Sequence, residues 1–168
     1  MRRLWLVGFA LAAAAPGIAA ADEPTGCGGF KWPLDHERAA LLSSTKPAVA
    51  NGGALAYNVA ATLKLALLSD AGLPLAPERA PKFPQSYAGH FTLAAPAKPG
   101  MYKITVGSEA WVDVVDNGAF LHPKGFSGAK DCEGARKSVK FDLPARPLDV
   151  QVSGVRDAGL STIVTPAE

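Results

Sequence analysis

Beyond Asn51, apolar and polar residues alternate with a period of two through most of the chain, the signature of half-buried β-strands. The clearest run is Gly100–Gly118, GMYKITVGSEAWVDVVDNG. Tyr102, Ile104 and Val106 alternate with Lys103 and Thr105; Val112 and Val114 alternate with Trp111, Asp113 and Val115. Read as a hairpin, the run needs a turn whose parity decides which side chains share a face. A two-residue turn at Ser108-Glu109 sets Asp113 beside Ile104 in the core, and burying an unpaired carboxylate costs several kcal/mol, roughly. A turn over Gly107–Glu109 instead places Tyr102, Ile104 and Val106 against Val114, Val112 and Ala110. That choice predicts Lys103 opposite Asp113 on the outer face, with Trp111 beside them.

The same pattern predicts further strands. Val59, Ala61, Leu63, Leu65 and Leu67 alternate with smaller or polar residues in Ala54–Leu68, although the alanine and leucine content suits a helix equally. Strands follow at His90–Ala94, at Ser138–Leu143, at Leu148–Ser153 and at Leu160–Thr165, with Ala119–Lys130 read as a loop. One short helix is expected at Leu34–Ser43, after Pro33, with Leu34, Arg38, Leu41 and Leu42 on one side. Residues 70–89 differ in kind. Pro74, Pro77, Pro81 and Pro84 exclude a central strand or helix and mark an extended surface loop. The expectation is mainly β: a single antiparallel β-sandwich of about seven strands over 22–168, with one short N-terminal helix.

Four of these stretches, PGMYKITV, AWVDVVDNG, KSVKFDL and PLDVQVSGV, follow one another in an order that resembles the bacterial pre-peptidase C-terminal type of β-sandwich. The likeness covers about Phe91–Thr165 and implies the fold alone. A single Asp113 stands where that family has paired acids, and the last strand lacks a tyrosine. The chain as a whole resembles small uncharacterised exported proteins of proteobacteria, which implies a compartment and no activity.

The N-terminus changes how the charge is read. Arg2-Arg3, the apolar Leu4–Ala15, the break at Pro16-Gly17 and Ala19-Ala20-Ala21 have the order of a secretory signal, with cleavage expected after Ala21. The apolar run is shorter than the roughly twenty residues of a membrane span. The whole chain has 17 Lys+Arg against 15 Asp+Glu, and loss of Arg2 and Arg3 leaves the signs equal. No nucleic-acid partner and no membrane span after cleavage are therefore expected, and the destination is periplasmic or secreted. Cys27 and Cys132 then read as a disulfide closing a long loop, worth about 4–5 kcal/mol on the chain-entropy model.

Candidate chemistry is sparse. No Gly-x-Ser-x-Gly elbow, no His-x-His and no helical histidine pair occurs. No cofactor and no catalytic residue is assigned. The preferred reading is an exported, non-catalytic binding or accessory module for a small molecule, a glycan or an envelope protein. Its ligand-binding candidates are Trp111, Asp113, Lys103 and Trp32, an exposed indole being a natural platform. One rival is a small metal-dependent enzyme of the non-haem dioxygenase type, using His90 and His122 with Glu109 or Asp113. The other is an envelope structural protein. Finally, Phe30, Trp32 and the short helix are expected to be held by the disulfide over Trp111.

Overall fold

The computed structural model describes residues 22–167, so the expected signal over 1–21 lies outside the described residues. A single-turn 3-10 helix at Cys27–Gly29 precedes the helix α1 (Asp35–Leu42). Twelve strands follow: β1 (Ala48–Val49), β2 (Ala54–Leu55), β3 (Ala61–Lys64), β4 (Ala66–Leu67), β5 (Tyr87–Leu93), β6 (Gly100–Val106), β7 (Trp111–Asp116), β8 (Ala119–Leu121), β9 (Gly125–Gly128), β10 (Lys137–Leu143), β11 (Leu148–Val155) and β12 (Gly159–Pro166). One sheet has the order β1-β3-β12-β6-β10-β9 and the other β2-β5-β11-β7-β8, with β4 also on β5. The sheets are mixed, since β1 joins β3 and β2 joins β5 in parallel. Twelve strands in two mixed sheets replace the expected seven in an antiparallel pair. Among the described residues no helix is long and apolar enough to cross a membrane.

The inward faces of both sheets share one core, in a sandwich-like arrangement. Phe91, Val114 and Val150 from the second sheet meet Ile104, Phe141 and Leu160 from the first, all at most 1% exposed. These are the residues that the alternation assigns to the inside. What the alternation does not assign is the partner. β6 and β7 are not a hairpin. β6 lies between β10 and β12, with Val139 and Val164 both opposite Ile104. β7 lies between β11 and β8 in the other sheet. Tyr102, Ile104 and Val106 therefore face Ala110, Val112 and Val114 across the core rather than along a ladder. A face has the same parity in either case, which is why the inside was right and the pairing wrong.

Crossing of this kind is the rule here. Successive strands remain in one sheet only at β4–β5, β7–β8 and β9–β10. The β7–β8 pair is a true hairpin. Asn117 (φ 50°) and Gly118 (φ 78°) occupy its two-residue turn, where both φ values must be positive. The loop expected at Ala119–Lys130 thus contains β8 and β9. The ambiguous Ala54–Leu68 is strand in three short pieces, and the chain changes sheet at Leu65. Leu67 and Val59 are 45% and 41% exposed, so the alternation outruns the buried face at both ends.

Both outer faces are covered by chain that is not strand. On the first sheet, α1 packs Leu41 against Ala60 and Ile163. Glu37, not Leu42, turns inward: Glu37 is 3% exposed and Leu42 48%. The reason is charge. Lys103 Nζ lies 2.8 Å from Glu37 Oε1, and the Thr165 hydroxyl donates to the same oxygen at 2.5 Å. The predicted Lys103–Asp113 pair does not form. Next along the same face, Trp32 Nε1 donates to Ser138 Oγ at 3.1 Å, with Lys140 over its ring at 4.2 Å. The Cys27–Cys132 disulfide anchors this cover, and Cys132, Leu34 and Ala135 form a small second core against Phe30 and Trp32. The bridge therefore holds Trp32 over β10, and the expected cover over Trp111 is a different segment.

Two outcomes follow. Burial by itself raises the Glu37 pKa, but hydrogen bonds from Lys103 and Thr165 outweigh it and hold the carboxyl below its ordinary 4.5. A depressed folded value means stabilisation that is present above pH 4.5 and lost as pH falls through the folded value. Denaturant melts should show Glu37→Ala less stable by about 3 kcal/mol at neutral pH, and Glu37→Gln losing less stability than wild type between about pH 6 and about pH 3. Secondly, in a chain beginning at Asp22, reduction of the disulfide should red-shift the emission of Trp32 (read in Trp111→Phe) and leave that of Trp111 (read in Trp32→Phe) unchanged. A shift of Trp111 alone would reverse the assignment of the two covers.

Candidate functional site

β7 begins with Trp111, on the outward face of the second sheet, and Asp113 follows two residues later on that face. Trp111 Nε1 donates to Asp113 Oδ1 at 2.6 Å. Gln151, directly opposite Asp113 on β11, donates from Nε2 to Oδ2 at 3.2 Å. Asp113 is 4% exposed, so the outer face at this point is not solvent. It is roofed by the proline-rich segment 71–86. The Glu78 amide donates to Asp113 Oδ2 at 3.3 Å and the Leu75 amide to Gln151 Oε1 at 3.2 Å. Asn51 Nδ2 holds the start of the segment through the Ala71 carbonyl at 2.7 Å. Prolines suit such a strap, because it spans the sheet without a ladder of its own and so gives up few backbone hydrogen bonds. Burial raises the Asp113 pKa, and the donors from Glu78, Gln151 and Trp111 pull against it. Its pH sign is opposite to that of Glu37: the ionised form is penalised in the fold, and the penalty eases as pH falls.

Beside this strap a cleft of about 370 Å³ opens at the N-terminal ends of β7 and β10. Trp111, Val112 and Val139 line it from the strands, and Pro81 and Phe83 from the strap. Phe126 of β9 stands at its rim, 64% exposed. Two cations flank the indole, with Arg79 Cζ 5.3 Å and Lys137 Nζ 5.5 Å from the ring centroid. Lys137 also donates to the Ala110 carbonyl at 2.7 Å, and burial lowers its pKa. The acids of the cleft are already matched. Glu23 is bidentate to Arg136, at 2.5 and 2.8 Å. Glu109 accepts from Lys82 at 3.2 Å, and that hydrogen bond, against some burial, lowers its pKa. Ser153, directly opposite Trp111 in the regular β11–β7 ladder, also lines the cleft; on the β5 side the register of β11 shifts between Val152 and Val155, with Gly154 at φ 70°.

The sequence candidates thus divide. Trp111 and Asp113 come together, but Lys103 and Trp32 lie on the outward face of the first sheet, where both have structural partners. His90 and His122 are not brought together. His90 is on β5, its Nδ1 3.9 Å from Asp149 Oδ1, and His122 follows β8, three strand spacings or roughly 14 Å across the sheet. Glu109 stands at the cleft with Lys82 and Arg136. Among the described residues no three His, Cys, Asp or Glu side chains are grouped so as to hold a metal ion. Sequence reading missed Arg79, Lys137, Gln151 and Ser153. Gln151 and Ser153 alternate with Val150 and Val152, so their outward face was readable; their neighbours Asp113 and Trp111 depended on register. Nothing in the spacing of the prolines pointed to Arg79.

Compared with known protein families, with curated proteins and with solved structures, the chain finds no match.

Asp113→Ala leaves the Trp111, Gln151 and Glu78 donors without their acceptor. A stability loss of about 2–3 kcal/mol is expected, with faster tryptic cleavage after Arg79 and Lys82 as the strap lifts. Unchanged cleavage would mean that Asp113 does not hold the strap.

Proposed function

We propose that this chain is an exported, non-catalytic binding module with a β-sandwich fold, whose ligand occupies the cleft beside Trp111. The carrying observation is the indole itself. It is partly exposed at a concave site, yet its orientation is locked by a 2.6 Å hydrogen bond to a buried carboxylate. Preorganised aromatic surface with a few polar groups around it is what small-molecule sites consist of, and about 370 Å³ lies at the small end of their range of roughly 300–1,000 Å³. The Cys27–Cys132 bridge and the Arg2-Arg3, Leu4–Ala15, Ala19-Ala20-Ala21 order support export. Absence of catalysis rests on the chemistry of the cleft: the acids there are paired with cations, and neither a histidine nor a thiol lines it.

Expression of the whole chain in a bacterial host tests both parts. Intact mass should show a protein beginning at Asp22, with the disulfide formed. Small apolar and amphipathic compounds screened by NMR should perturb the Trp111 indole N–H and the Val139 amide, and be recovered chemically unchanged. Retention of Met1 overturns export. Hits that map elsewhere, or that are turned over, overturn the module.

A further inference from the structure

We propose that the cleft takes a small carboxylate with a compact apolar body, the carboxylate held by Arg79, Lys137 and the Ser153 hydroxyl. This rests on the reading of the cleft as the ligand site, and goes beyond it in naming the chemistry.

Among the described residues, two cations there lack an acid, and one hydroxyl lacks a partner. Ser153 is 1% exposed, and its Oγ has no hydrogen-bond partner among the described residues, although buried hydroxyls nearly always find one. Ser153 lines the cavity while its Oγ is covered by neighbouring protein atoms, so a ligand supplies that partner once a small shift of the wall uncovers the hydroxyl. Arg79 and Lys137 have no carboxylate within 4.0 Å among the described residues, whereas the other two cations of the cleft, Arg136 and Lys82, are paired. Counted with those pairs neutralised, the cleft carries two positive charges. Lys137, held against an indole rather than an acid and partly desolvated, gains most from an anion that brings its own charge into the site, and the more exposed Arg79 adds a second positive charge beside it.

The class of anion follows from the donors and walls. Lys137 already uses one N–H to hydrogen-bond the Ala110 carbonyl, so the site offers the Arg79 fork, the remaining N–H groups of the ammonium and one hydroxyl. That set suits the two oxygens of a carboxylate. A phosphate dianion brings more charge and more oxygens than it can satisfy between the apolar Val112, Val139 and Phe83. A sugar needs an array of acceptors, and the carboxylates that would provide one, Glu23 and Glu109, are held by Arg136 and Lys82.

Calorimetry with the protein as purified from its export host, using 2-naphthoate against the neutral 2-naphthamide, decides the matter. The acid should bind about tenfold more tightly than the amide, the worth of one charge-assisted contact. Arg79→Gln should remove most of that difference and leave the amide unchanged. Ser153→Ala should weaken the acid by a few fold, and Lys98→Gln, exposed and outside the cleft, should change neither. Equal binding of acid and amide, with the Trp111 indole N–H perturbed by both, overturns the carboxylate and leaves the binding module standing. Tighter binding of 2-naphthyl phosphate than of 2-naphthoate overturns the class of anion. Binding of neither compound overturns this proposal, while other hits mapped to the cleft decide the module separately.

Discussion

Asp113 is a buried carboxylate with three donors and no cation within 4.0 Å among the described residues, and much of the second sheet's outer side depends on it. The strap has few apolar anchors and no strand partner, so backbone amides must supply its attachment. An ionised oxygen is the strongest acceptor available to such an amide, and the same group orients Trp111. Removing Asp113 from water is unfavourable, which the raised pKa records. The three donors offset that cost only while all of them are in place, so strap, indole and Gln151 depend on one another.

Glu37 does for the first sheet what Asp113 does for the second, with the opposite electrostatics. It is carried by the cover, α1, and meets Lys103 and Thr165 of the sheet. In both places a carboxylate ties a non-strand segment to the outward face of a sheet. The covers differ in their other fastenings. The N-terminal one has the disulfide, the Glu23–Arg136 fork and the short parallel contact between Thr25 and Lys130. The strap has Asn51, Gln151 and Asp113. With fewer buried apolar side chains of its own, it is the element most readily opened locally.

The cleft lies where these two covers fail to meet. Glu23 of the N-terminal cover and Arg79, Pro81 and Lys82 of the strap approach the same gap from either side. The crossing between the sheets borders the gap: β6 ends in the first sheet at Val106, β7 begins in the second at Trp111, and Glu109 and Ala110 between them line the cleft. Ser153, opposite Trp111 on β11, adds to its wall beside the bulge that β11 makes against β5.

Which residues point inward was readable from the sequence, because a strand's period of two is local: Tyr102, Ile104, Val106, Val112 and Val114 are all in the core. The short helix and the pairing of the two cysteines are also local or counting arguments, and they agree with the structure. Partnership was not readable. Alternation says the same thing about a strand whether its neighbour lies beside it or across the core, so the β6–β7 hairpin was a sound inference about faces and a wrong one about sheets. Burial of the outer faces was unreadable for a related reason. Lys103, Asp113, Ser138 and Gln151 are polar and read as solvent-facing; only the tertiary structure brings α1 and the proline-rich strap over them, and it does so by matching each to a donor or an opposite charge. Trp111 was recognised by its chemistry. Its companions Arg79, Lys137 and Ser153 come from three different segments, and sequence spacing carries no information about contacts made between segments so far apart.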